Sequence, residues 1–294
     1  MKIAVFGRTA SDENCQALQT LCRLMADHQL DVLVYDEFLQ QVQQQGTTIT
    51  CEYKTFRNKE DLQTADFVLS IGGDGTLLNT VDFVLDSGVP VIGVNTGRLG
   101  FLANFTVEQL PRIISLMKDE GFRSDQRSLL EVSCDQPLFK KPQFALNEFT
   151  IQKQDPSAII KVHAHLNGEF LSSYWSDGVI VSTPTGSTGY SLSANGPIIV
   201  PGSSSIVITP IAPHNFNLRP IVLPNNSTLE LSIGAHRGKS YCTVDSKHWE
   251  IGNDFVFEIK KANFAFNIVR PPENTFIDTL RSKLMWGIDN RNKE

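Results

Sequence analysis

Short apolar runs alternate with amphipathic segments over the first third of the chain. Four runs have the length of buried strands: KIAVFG (2–7), LDVLVY (30–35), DFVLSI (66–71) and VPVIGVN (89–95). Between them, Ser11 is a suitable helix N-cap, residues 76–88 are typical of one helix ending at Gly88, and the polar segment QQVQQQG (41–47) is expected to be a loop. Continuous apolar strands separated by helices predict an α/β domain with a mostly parallel sheet.

From about residue 126, apolar and polar residues alternate with a period of two, which is typical of half-buried strands. The alternating stretches are SLLEVSC (128–134), FALNEFTIQK (144–153), IIKVHAHLNGEFLSSYW (159–175), SSIVITPI (204–211), TLELSI (228–233), KSYCTV (239–244) and the two halves of residues 254–269. The third stretch contains Asn167-Gly168, a dipeptide favoured in type I′ hairpin turns. The pattern predicts an all-β second domain of two packed sheets.

The prolines at 271 and 272 end this alternation, and a helix signal follows. In NTFIDTLRSKLMWG (274–287), Phe276, Leu280 and Leu284 recur on one stripe, and Gly287 is placed to cap the C-terminus. The chain is therefore divided into an α/β part over residues 1–125, a β-rich part over 126–271 and a helical terminal segment over 272–294.

Composition limits the class of protein. The chain has 294 residues, 41% of them hydrophobic and 20% charged, with a formal net charge of -6. These values fit a globular protein with a sizeable core and disfavour a general nucleic-acid surface. Because no segment approaches the ~20 apolar residues of a membrane span and the N-terminal apolar run is too short for a signal peptide, we expect a cytoplasmic protein without membrane contact.

The potential metal ligands and thiols are scattered. Five cysteines form no CxxC or Cys/His cluster, so we expect free thiols and no structural zinc. His163 and His165 would share one strand face, but no third ligand lies at a recognisable spacing, and no metal site is assigned.

The segment IGGDGTLL (71–78) places a carboxylate among glycines, between a predicted strand and a predicted helix. Backbone N–H groups at such a turn bind anions, yet the segment matches neither GxxxxGK[ST] nor GxGxxG. A carboxylate beside polyphosphate is repulsive unless it helps to hold Mg²⁺ or accepts a proton from an attacking hydroxyl. In a purely structural turn, Asp74 would be the helix N-cap. The motif alone leaves these alternatives open.

A second polar segment, STPTGSTGY (182–190), follows the tripeptide SDG (176–178). Small hydroxyl groups can bind a ligand with many hydroxyls, and Tyr190 can stack on a flat ring. The same residue types are also ordinary in a polar loop between strands. This motif alone favours the loop interpretation.

Taken together, the motifs resemble those of the NAD kinases. The segments that carry the resemblance are IGGDGTLLNT (71–80), VNTGRLGFL (94–102), NE (147–148), SDG (176–178), STPTGSTGYSLS (182–193) and PIAPHNFNLRP (210–220). GGDG alone is shared with phosphofructokinases and with lipid and diacylglycerol kinases, whereas its combination with TPTGSTGY is specific. The resemblance extends from residue 2 to about 270. It implies an α/β N-terminal domain, a β-sandwich-like C-terminal domain and a C-terminal helix that returns to the first.

The resemblance also implies the activity: transfer of the γ-phosphoryl group of ATP, assisted by Mg²⁺, to the 2′-hydroxyl of the adenosine ribose of NAD. Asp74 would be the proton acceptor, with its side chain free, and Asp177 would lie near the nicotinamide side. Asn147 and Glu148 would contact the adenosine. The other substrate contacts would be Gly75, Thr185, Thr188, Gly189, Tyr190, Ser191, Leu192, Ser193 and Ala212. The donor phosphates would be bound by Gly72, Gly73 and Thr76.

This chain departs from the family pattern at several positions. Gly189 stands where alanine is usual, and the roles of Asn79 and Lys247 are left open because both differ from the usual bacterial residues.

A lipid or diacylglycerol kinase would keep GGDG without requiring TPTGSTGY. A regulatory nucleotide-binding module without catalysis is disfavoured by the presence of Asp74. The expected partners are NAD, ATP and further copies of the chain in a homodimer or homotetramer, with no nucleic acid. The donor preference, the use of NADH, the oligomer number and feedback by NADPH are left open.

Overall fold

The computed structural model describes residues 1–97, 100–119, 121–234 and 238–287. Two positions of the VNTGRLGFL motif, Arg98 and Leu99, and the last seven residues of the predicted terminal segment lie outside the described residues. The chain divides into two compact units. One contains Met1–Gln126 and the chain from Phe266 onward, and the other contains Arg127–Ala265.

The first unit contains a parallel sheet with helices between its strands. Its strands are β1 (Lys2–Gly7), β2 (Asp31–Tyr35), β3 (Lys54–Phe56), β4 (Phe67–Ile71), β5 (Val91–Asn95) and β6 (Phe105–Thr106). Its helices up to this point are α1 (Asp12–Asp27), α2 (Asp36–Gln44), α3 (Lys59–Leu62), α4 (Asp74–Asn79), α5 (Val81–Val84) and α6 (Leu110–Lys118). The strands pair in parallel in the order β3-β2-β1-β4-β5-β6. The loops after β4 and β5 therefore leave the same edge of the sheet, where α/β proteins bind ligands.

The predicted strands and the first predicted helix are confirmed. The Ser11 side chain accepts a hydrogen bond from the Asn14 N–H at 3.3 Å, which caps α1. The apolar stripe of α1 is buried, as are the central residues of β1, β4 and β5. The helix thus covers a sheet whose strands are apolar on both faces, as expected for parallel strands.

Two local predictions in this unit are wrong. Residues 41–44 of QQVQQQG belong to α2 rather than to a loop, because Phe38, Leu39 and Val42 form a buried stripe that the glutamines obscure. Residues 76–88 do not form one helix. The segment breaks near Thr80, which is buried and whose hydroxyl donates to Leu77 O at 2.6 Å, and a 3₁₀ turn then leads to Gly88 at φ +73°.

The second unit is built from antiparallel strands and one short helix. Strand β7 (Arg123–Cys134) enters this unit from the first. The elements that follow are β8 (Gln143–Ala145), β9 (Glu148–Lys153), β10 (Ile160–Leu166), β11 (Glu169–Ser176), β12 (Gly178–Ser182), α7 (Tyr190–Ser193), β13 (Ser205–Ile211), β14 (Ile221–Pro224), β15 (Leu229–Ile233), β16 (Ser240–Val244), β17 (Lys247–Ile251) and β18 (Val256–Arg270). The two halves of residues 254–269 are thus one continuous strand.

The antiparallel strands form two groups that share a core. Six strands pair in the order β14-β13-β12-β9-β16-β17, and β11-β10-β15 pair with the first part of β18. Phe149 and Val179 from the first group lie in the same buried cluster as Val162 and Phe257 from the second. This arrangement confirms the predicted sandwich-like β domain. The hairpin at Asn167-Gly168 is also confirmed, with φ +52° and +85°.

The chain from Phe266 onward belongs to the first unit. Ile268 of β18 pairs in parallel with Val91, and the Arg270 guanidinium lies 2.9 Å from an Asp125 carboxylate oxygen. Helix α8 (Phe276–Leu284) follows after an N-terminal capping box of Thr275 and Asp278. It ends at Met285, which has φ +52°, rather than at the predicted Gly287 cap. The predicted fold class, including the C-terminal helix, is confirmed.

The five cysteines are all free, as predicted. Within the described ranges, no helix is both long enough and apolar enough to cross a membrane.

Candidate active site

The glycine-rich loop joins β4 to α4 at the carboxyl edge of the parallel sheet. Gly72 has φ +141°, and a Cβ there would lie 2.4 Å from Thr76 Oγ1, so the turn requires glycine at this position. Its N–H donates to Val94 O at 2.9 Å. This bond commits the Gly72 N–H to the sheet edge, so a contact of Gly72 with a donor phosphate would not use this N–H group. Gly73 and Gly75 are exposed, and a Cβ on either would meet no atom within 4 Å, so a ligand can approach their backbone.

The Asp74 carboxylate is bound by three consecutive backbone N–H groups. Phe101 donates to Oδ2 at 2.8 Å, while Leu102 and Ala103 donate to Oδ1 at 3.1 and 2.9 Å. The expectation that this side chain is free is therefore wrong. The N-cap alternative is also wrong, because Gly73 is the N-cap of α4 and Asp74 is its first residue. The side chain instead ties the glycine loop to residues 101–103, a link between segments that are distant in sequence.

The segment that binds Asp74 is itself held in place. A Cβ on Gly100 would lie 1.9 Å from Asp74 Oδ1, so only glycine allows the chain to pass there. Arg270 Nη2 lies 3.5 Å from Phe101 O, and the same guanidinium is paired with Asp125. Burial lowers the pKa of Arg270, and the Asp125 charge opposes this shift. On the other side of the loop, Asn79 Nδ2 donates to Gly75 O at 2.7 Å.

In the second unit, Asn147 and Glu148 lie where β8 ends and β9 begins. Asp245, in the turn between β16 and β17, accepts hydrogen bonds from the N–H groups of Leu146, Asn147 and Glu148 at 2.7, 2.9 and 3.0 Å. Asp245 has φ +50°, a conformation that Asp tolerates better than most residues. Asp245 lies outside the motifs that are recognisable in the sequence. In the sequence, Asp245 is an aspartate in a short turn between two predicted strands. This pattern is too common to predict a contact with residues 146–148.

The first hydroxyl residues of the STPTGSTGY motif bind the same segment. Thr183 Oγ1 donates to Leu146 O at 2.6 Å, and the Thr183 N–H donates to Asn147 O at 2.9 Å. A Cβ on Gly186 would lie 2.2 Å from Asn147 O. Two of the motifs that carry the family resemblance, NE (147–148) and STPTGSTGY (182–190), are therefore in direct contact.

Two carboxyl groups, Glu148 and Asp245, lie close together here. Burial, together with the nearby Asp245 charge, raises the pKa of Glu148 to about 8, although the Tyr190 N–H opposes the shift. Burial also raises the pKa of Asp245 to about 6, against the three backbone N–H groups and the charge of Lys247. Because the pKa of Glu148 lies above that of Asp245, Glu148 keeps the proton and Asp245 carries the charge when the pair holds a single negative charge. Glu148 Oε2 is buried and has no hydrogen-bond partner among the described residues. A neutral carboxyl group in this position can donate a hydrogen bond to a ligand.

The rest of the hydroxyl motif turns through a 3₁₀ helix (Gly186–Thr188) into α7. Thr185 is buried and lies 3.3 Å from the guanidinium of Arg127, a buried cation outside the motifs that are recognisable in the sequence. Thr188 Oγ1 donates to Thr185 O at 3.2 Å. A Cβ on Gly189 would lie 3.1 Å from Glu148 Oε2, so this position borders the Glu148 carboxyl group.

Tyr190 begins α7 and is 40% exposed. Its hydroxyl accepts a hydrogen bond from Gln152 Nε2 at 2.7 Å, and Gln152 Oε1 accepts one from the Tyr241 hydroxyl at 2.7 Å. This chain of bonds fixes the tip of the ring while its surface stays accessible for stacking. Ser191 differs, because it is buried and its hydroxyl pairs with Thr209 at 2.9 Å. Leu192 is partly buried, and Ser193 is exposed.

Asp177 lies between β11 and β12, and Ala212 directly follows β13, the strand that pairs with β12. The Asp177 N–H donates to Ile211 O at 2.9 Å, and the Asp177 carboxylate is paired with Lys153 Nζ at 2.7 Å. Ala212 is exposed and has φ +43°, which is unusual for a residue other than glycine. The structure thus brings Asn147, Glu148, Gly189 and Tyr190 together, and the Asp177 N–H bonds to Ile211, the residue before Ala212. All of these residues belong to the second unit, whereas Gly72–Thr76 belong to the first.

The described residues contain no group of three or more His, Cys, Asp or Glu side chains that could hold a metal ion. His163 Nδ1 instead lies 2.8 Å from Ser173 Oγ, and His165 Nδ1 lies 3.8 Å from Glu230 Oε1. His163 is thus hydrogen-bonded to a neighbouring strand, whereas the buried Nδ1 of His165 has no hydrogen-bond partner among the described residues.

The amino-acid sequence matches two protein-family models. The ATP-NAD kinase N-terminal domain matches residues 3–121, and the ATP-NAD kinase C-terminal domain matches residues 146–271. Among curated relatives, the NAD kinase of Flavobacterium psychrophilum is 38% identical over 295 residues, covering 99% of this chain and 100% of the relative. The NAD kinase of Bacteroides fragilis is 37% identical over 296 residues with the same coverage.

Solved structures share the fold. Yeast NADH kinase complexed with NADH has a TM-score of 0.88 and 22% identity, covering 100% of this chain and 90% of that chain. An NAD kinase from Archaeoglobus fulgidus in complex with ATP has a TM-score of 0.73 and 24% identity, covering 97% and 99% of the two chains. At 22% and 24% identity, the solved structures show only that the fold is shared. The two family models and the full-length relatives show the family. The chain belongs to the NAD kinase family.

Proposed function

We propose that the chain transfers the γ-phosphoryl group of ATP to the 2′-hydroxyl of the adenosine ribose of NAD, which produces NADP. Family membership makes the chain a kinase, and its full-length relatives are NAD kinases. The two structures with the same fold contain NADH and ATP. The observation that carries the proposal is the Asp74 carboxylate, which is anchored by three backbone bonds at an accessible glycine loop.

In this proposal, the β-rich part over residues 126–271 binds NAD. Asn147 and the protonated Glu148 would bind the adenosine, because Glu148 has a buried carboxyl oxygen without a partner in the described structure. The accessible ring of Tyr190 would stack on the adenine. Asp177 would lie toward the nicotinamide. The further contacts proposed in this unit are Thr185, Thr188, Gly189, Ser191, Leu192, Ser193 and Ala212.

The α/β part over residues 1–125, with the terminal segment 272–294, would bind the donor and provide the base. Gly72, Gly73 and Thr76 would bind the donor phosphates, and Gly75, whose backbone is as open as that of Gly73, would contact the substrate beside them. A carboxylate has about four acceptor positions, so Asp74 Oδ2, with one backbone donor, can still accept a hydrogen bond from the ribose hydroxyl. Phosphoryl transfer passes through a loose transition state and depends mainly on positioning. Asp74 therefore orients the 2′ oxygen and takes its proton as the new P–O bond forms.

The proposal includes Mg²⁺ as part of the ATP substrate rather than as an ion held by the protein. The described residues offer no group of three ligands, and Mg²⁺ usually binds through substrate phosphates with few protein contacts. When it is bound to ATP, the ion would neutralise part of the negative charge of the phosphates.

We further propose a cytoplasmic homodimer or homotetramer. The five free thiols are typical of a reducing compartment. Trp175 and Phe216, 50% and 90% exposed, provide apolar surface of the kind that oligomers bury. Light scattering at micromolar concentration tests the assembly, and a monomeric mass would contradict it.

Product identity tests the proposed reaction. The protein is incubated with NAD, ATP and Mg²⁺, and the product is measured with an NADP-specific dehydrogenase and by phosphorus NMR. We expect a 2′-phosphate. A 3′-phosphate, or phosphorylation of diacylglycerol without any NADP, would overturn the proposal. Parallel reactions with NADH, other nucleoside triphosphates and polyphosphate define the acceptor and the donor.

A further inference from the structure

The Asp245 carboxylate binds the N–H groups of three consecutive residues, 146, 147 and 148, and these residues lie 97 to 99 positions away in sequence. The contact is reciprocal, because the Asp245 N–H donates to Glu148 O at 3.0 Å. Strands β9 and β16 pair up to Phe149 and Val244, and Asp245 follows directly. Its side chain thus continues the hydrogen bonding at the point where the regular strand pairing stops.

We propose that Asp245 is a positioning residue for NAD recognition, which fixes the backbone of residues 146–148 and thereby orients the side chains of Asn147 and Glu148. This inference rests on the proposed function, since it takes Asn147 and Glu148 as contacts of the adenosine.

The backbone of this segment is held from two sides. Asp245 binds the three N–H groups, while Thr183 binds the carbonyl oxygens of Leu146 and Asn147. Because these backbone groups are occupied, the Asn147 and Glu148 side chains are the parts of the segment that remain to recognise a ligand. Hydrogen bonds to a charged acceptor are about twice as strong as neutral ones, so the carboxylate restrains the segment more firmly than an amide would.

The substitution Asp245→Asn isolates this effect. Asn tolerates a positive φ as Asp does, so the turn at φ +50° is kept. The amide has one acceptor oxygen, and its NH₂ group would face at least one backbone N–H donor. A matched control is Asp254→Asn, because Asp254 also has a positive φ, +72°, is exposed and lies in a turn of the same unit.

We expect Asp245→Asn to raise the KM for NAD by about tenfold to a hundredfold, which corresponds to the loss of one hydrogen bond to a charged group. The KM for ATP and kcat at saturating NAD should stay within about twofold, because the donor site and the base are unchanged. Asp254→Asn should resemble the wild type. A purely structural role for Asp245 would lower the melting temperature and leave the KM for NAD unchanged, and this result would overturn the proposal.

A double-mutant cycle on NAD affinity, measured by calorimetry without ATP, separates this inference from the proposed function. If Asp245 acts through Asn147, its substitution should have little further effect in the Asn147→Ala background. Fully additive effects, or an Asp245→Asn protein that binds NAD normally while Asn147→Ala does not, would overturn the positioning role alone. Normal NAD binding by Asn147→Ala would instead overturn the proposed adenosine contact, and the inference with it.

The wild-type protein provides a measurement that does not depend on a folded variant. If the Asp245 carboxylate restrains this segment, the amide hydrogens of residues 146–148 should exchange with deuterium far more slowly than those of an open loop. Exchange at loop rates would overturn the proposal.

Discussion

Gly100 lies against Asp74 so closely that a Cβ at residue 100 would be 1.9 Å from Asp74 Oδ1 and 2.4 Å from Oδ2. The next three residues along the chain donate their N–H groups to the same carboxylate. Backbone atoms therefore enclose the carboxylate of the proposed base. The carboxylate can occupy this position only because residue 100 has no side chain.

Gly100→Ala should lower kcat by about a hundredfold, because the methyl group must displace the carboxylate and a shift near 1 Å is enough for such a loss. Gly121→Ala is the matched control, since its Cβ would make an ordinary contact of 3.4 Å with Leu116. Steady-state assays with NAD and ATP measure both variants. A Gly100→Ala protein with normal kcat would show that the position of Asp74 is not critical.

Asp74→Asn should lower kcat by about 10²- to 10⁴-fold, the usual contribution of a general base, and should also lower the melting temperature. The second effect is expected because the amide would present a donor to a segment that already donates N–H groups. Asp61→Asn is the control: Asp61 also accepts two backbone N–H groups, from Arg57 and Asn58, but lies outside the glycine loop. It should lose stability and keep its kcat. A kcat of Asp74→Asn close to that of the wild type would show that Asp74 is not the general base.

Two glycines of the loop should respond differently to alanine. Gly72→Ala should destabilise the fold by about 1–3 kcal/mol, because its φ of +141° is unfavourable for alanine and the methyl group meets Thr76. Gly75→Ala should keep or slightly raise stability, since the methyl group meets no protein atom and alanine favours the helix by up to ~1 kcal/mol. Its KM for ATP should nevertheless rise. Chemical denaturation and kinetics measure the pair, and an unchanged KM for ATP in Gly75→Ala would place the phosphates elsewhere.

Tyr190→Ala should raise the KM for NAD more than it changes kcat. Base–aromatic stacking contributes ~1–3 kcal/mol, and a stacked adenine is held equally in the ground and transition states. Tyr190→Phe keeps the ring and removes only the hydrogen bond from Gln152, so it should stay close to the wild type. If Tyr190→Phe raised the KM for NAD as much as Tyr190→Ala does, the hydroxyl group rather than the ring would bind NAD.

Stability should depend on pH through Glu148. Its pKa is raised from an ordinary value of 4.5 to about 8, so the folded protein holds this proton more tightly than the unfolded chain. The stabilisation is complete below about pH 4.5, decreases as the pH rises toward 8 and is absent above that. The free energy of unfolding of the wild type relative to Glu148→Gln should therefore fall by about 5 kcal/mol across this range. If the free energy of unfolding changed with pH in the same way in both proteins, the raised pKa of Glu148 would be contradicted.

Much of the fold could be predicted from the sequence because its signals are local. Apolar runs such as residues 2–7 and 66–71 became parallel strands, and Ser11 caps the helix that it was expected to cap. The errors arose where local signals compete. Glutamines hide the apolar stripe of α2, and the helical pattern of residues 76–88 gives no sign of the break at buried Thr80.

The site was less predictable because its key bonds join distant segments. The motifs identified Asp74, Asn147 and Glu148, but nothing near these residues in sequence indicates that residues 101–103 bind the first or that Asp245 binds the other two. Arg127, 58 positions before Thr185, was missed for the same reason. Such contacts become visible only when the fold brings the segments together.

The return of the C-terminal chain to the first unit affects the order in which the protein can fold during synthesis. Val269 belongs to the core of that unit, and Ile268 pairs with Val91 at the start of β5, where β6, which pairs only with Val94 and Asn95, leaves the strand edge open. When the ribosome has made the first 126 residues, this core still lacks a strand that is encoded after the whole β-rich unit. The second unit, which is continuous in sequence, can therefore complete its folding before the unit that begins the chain.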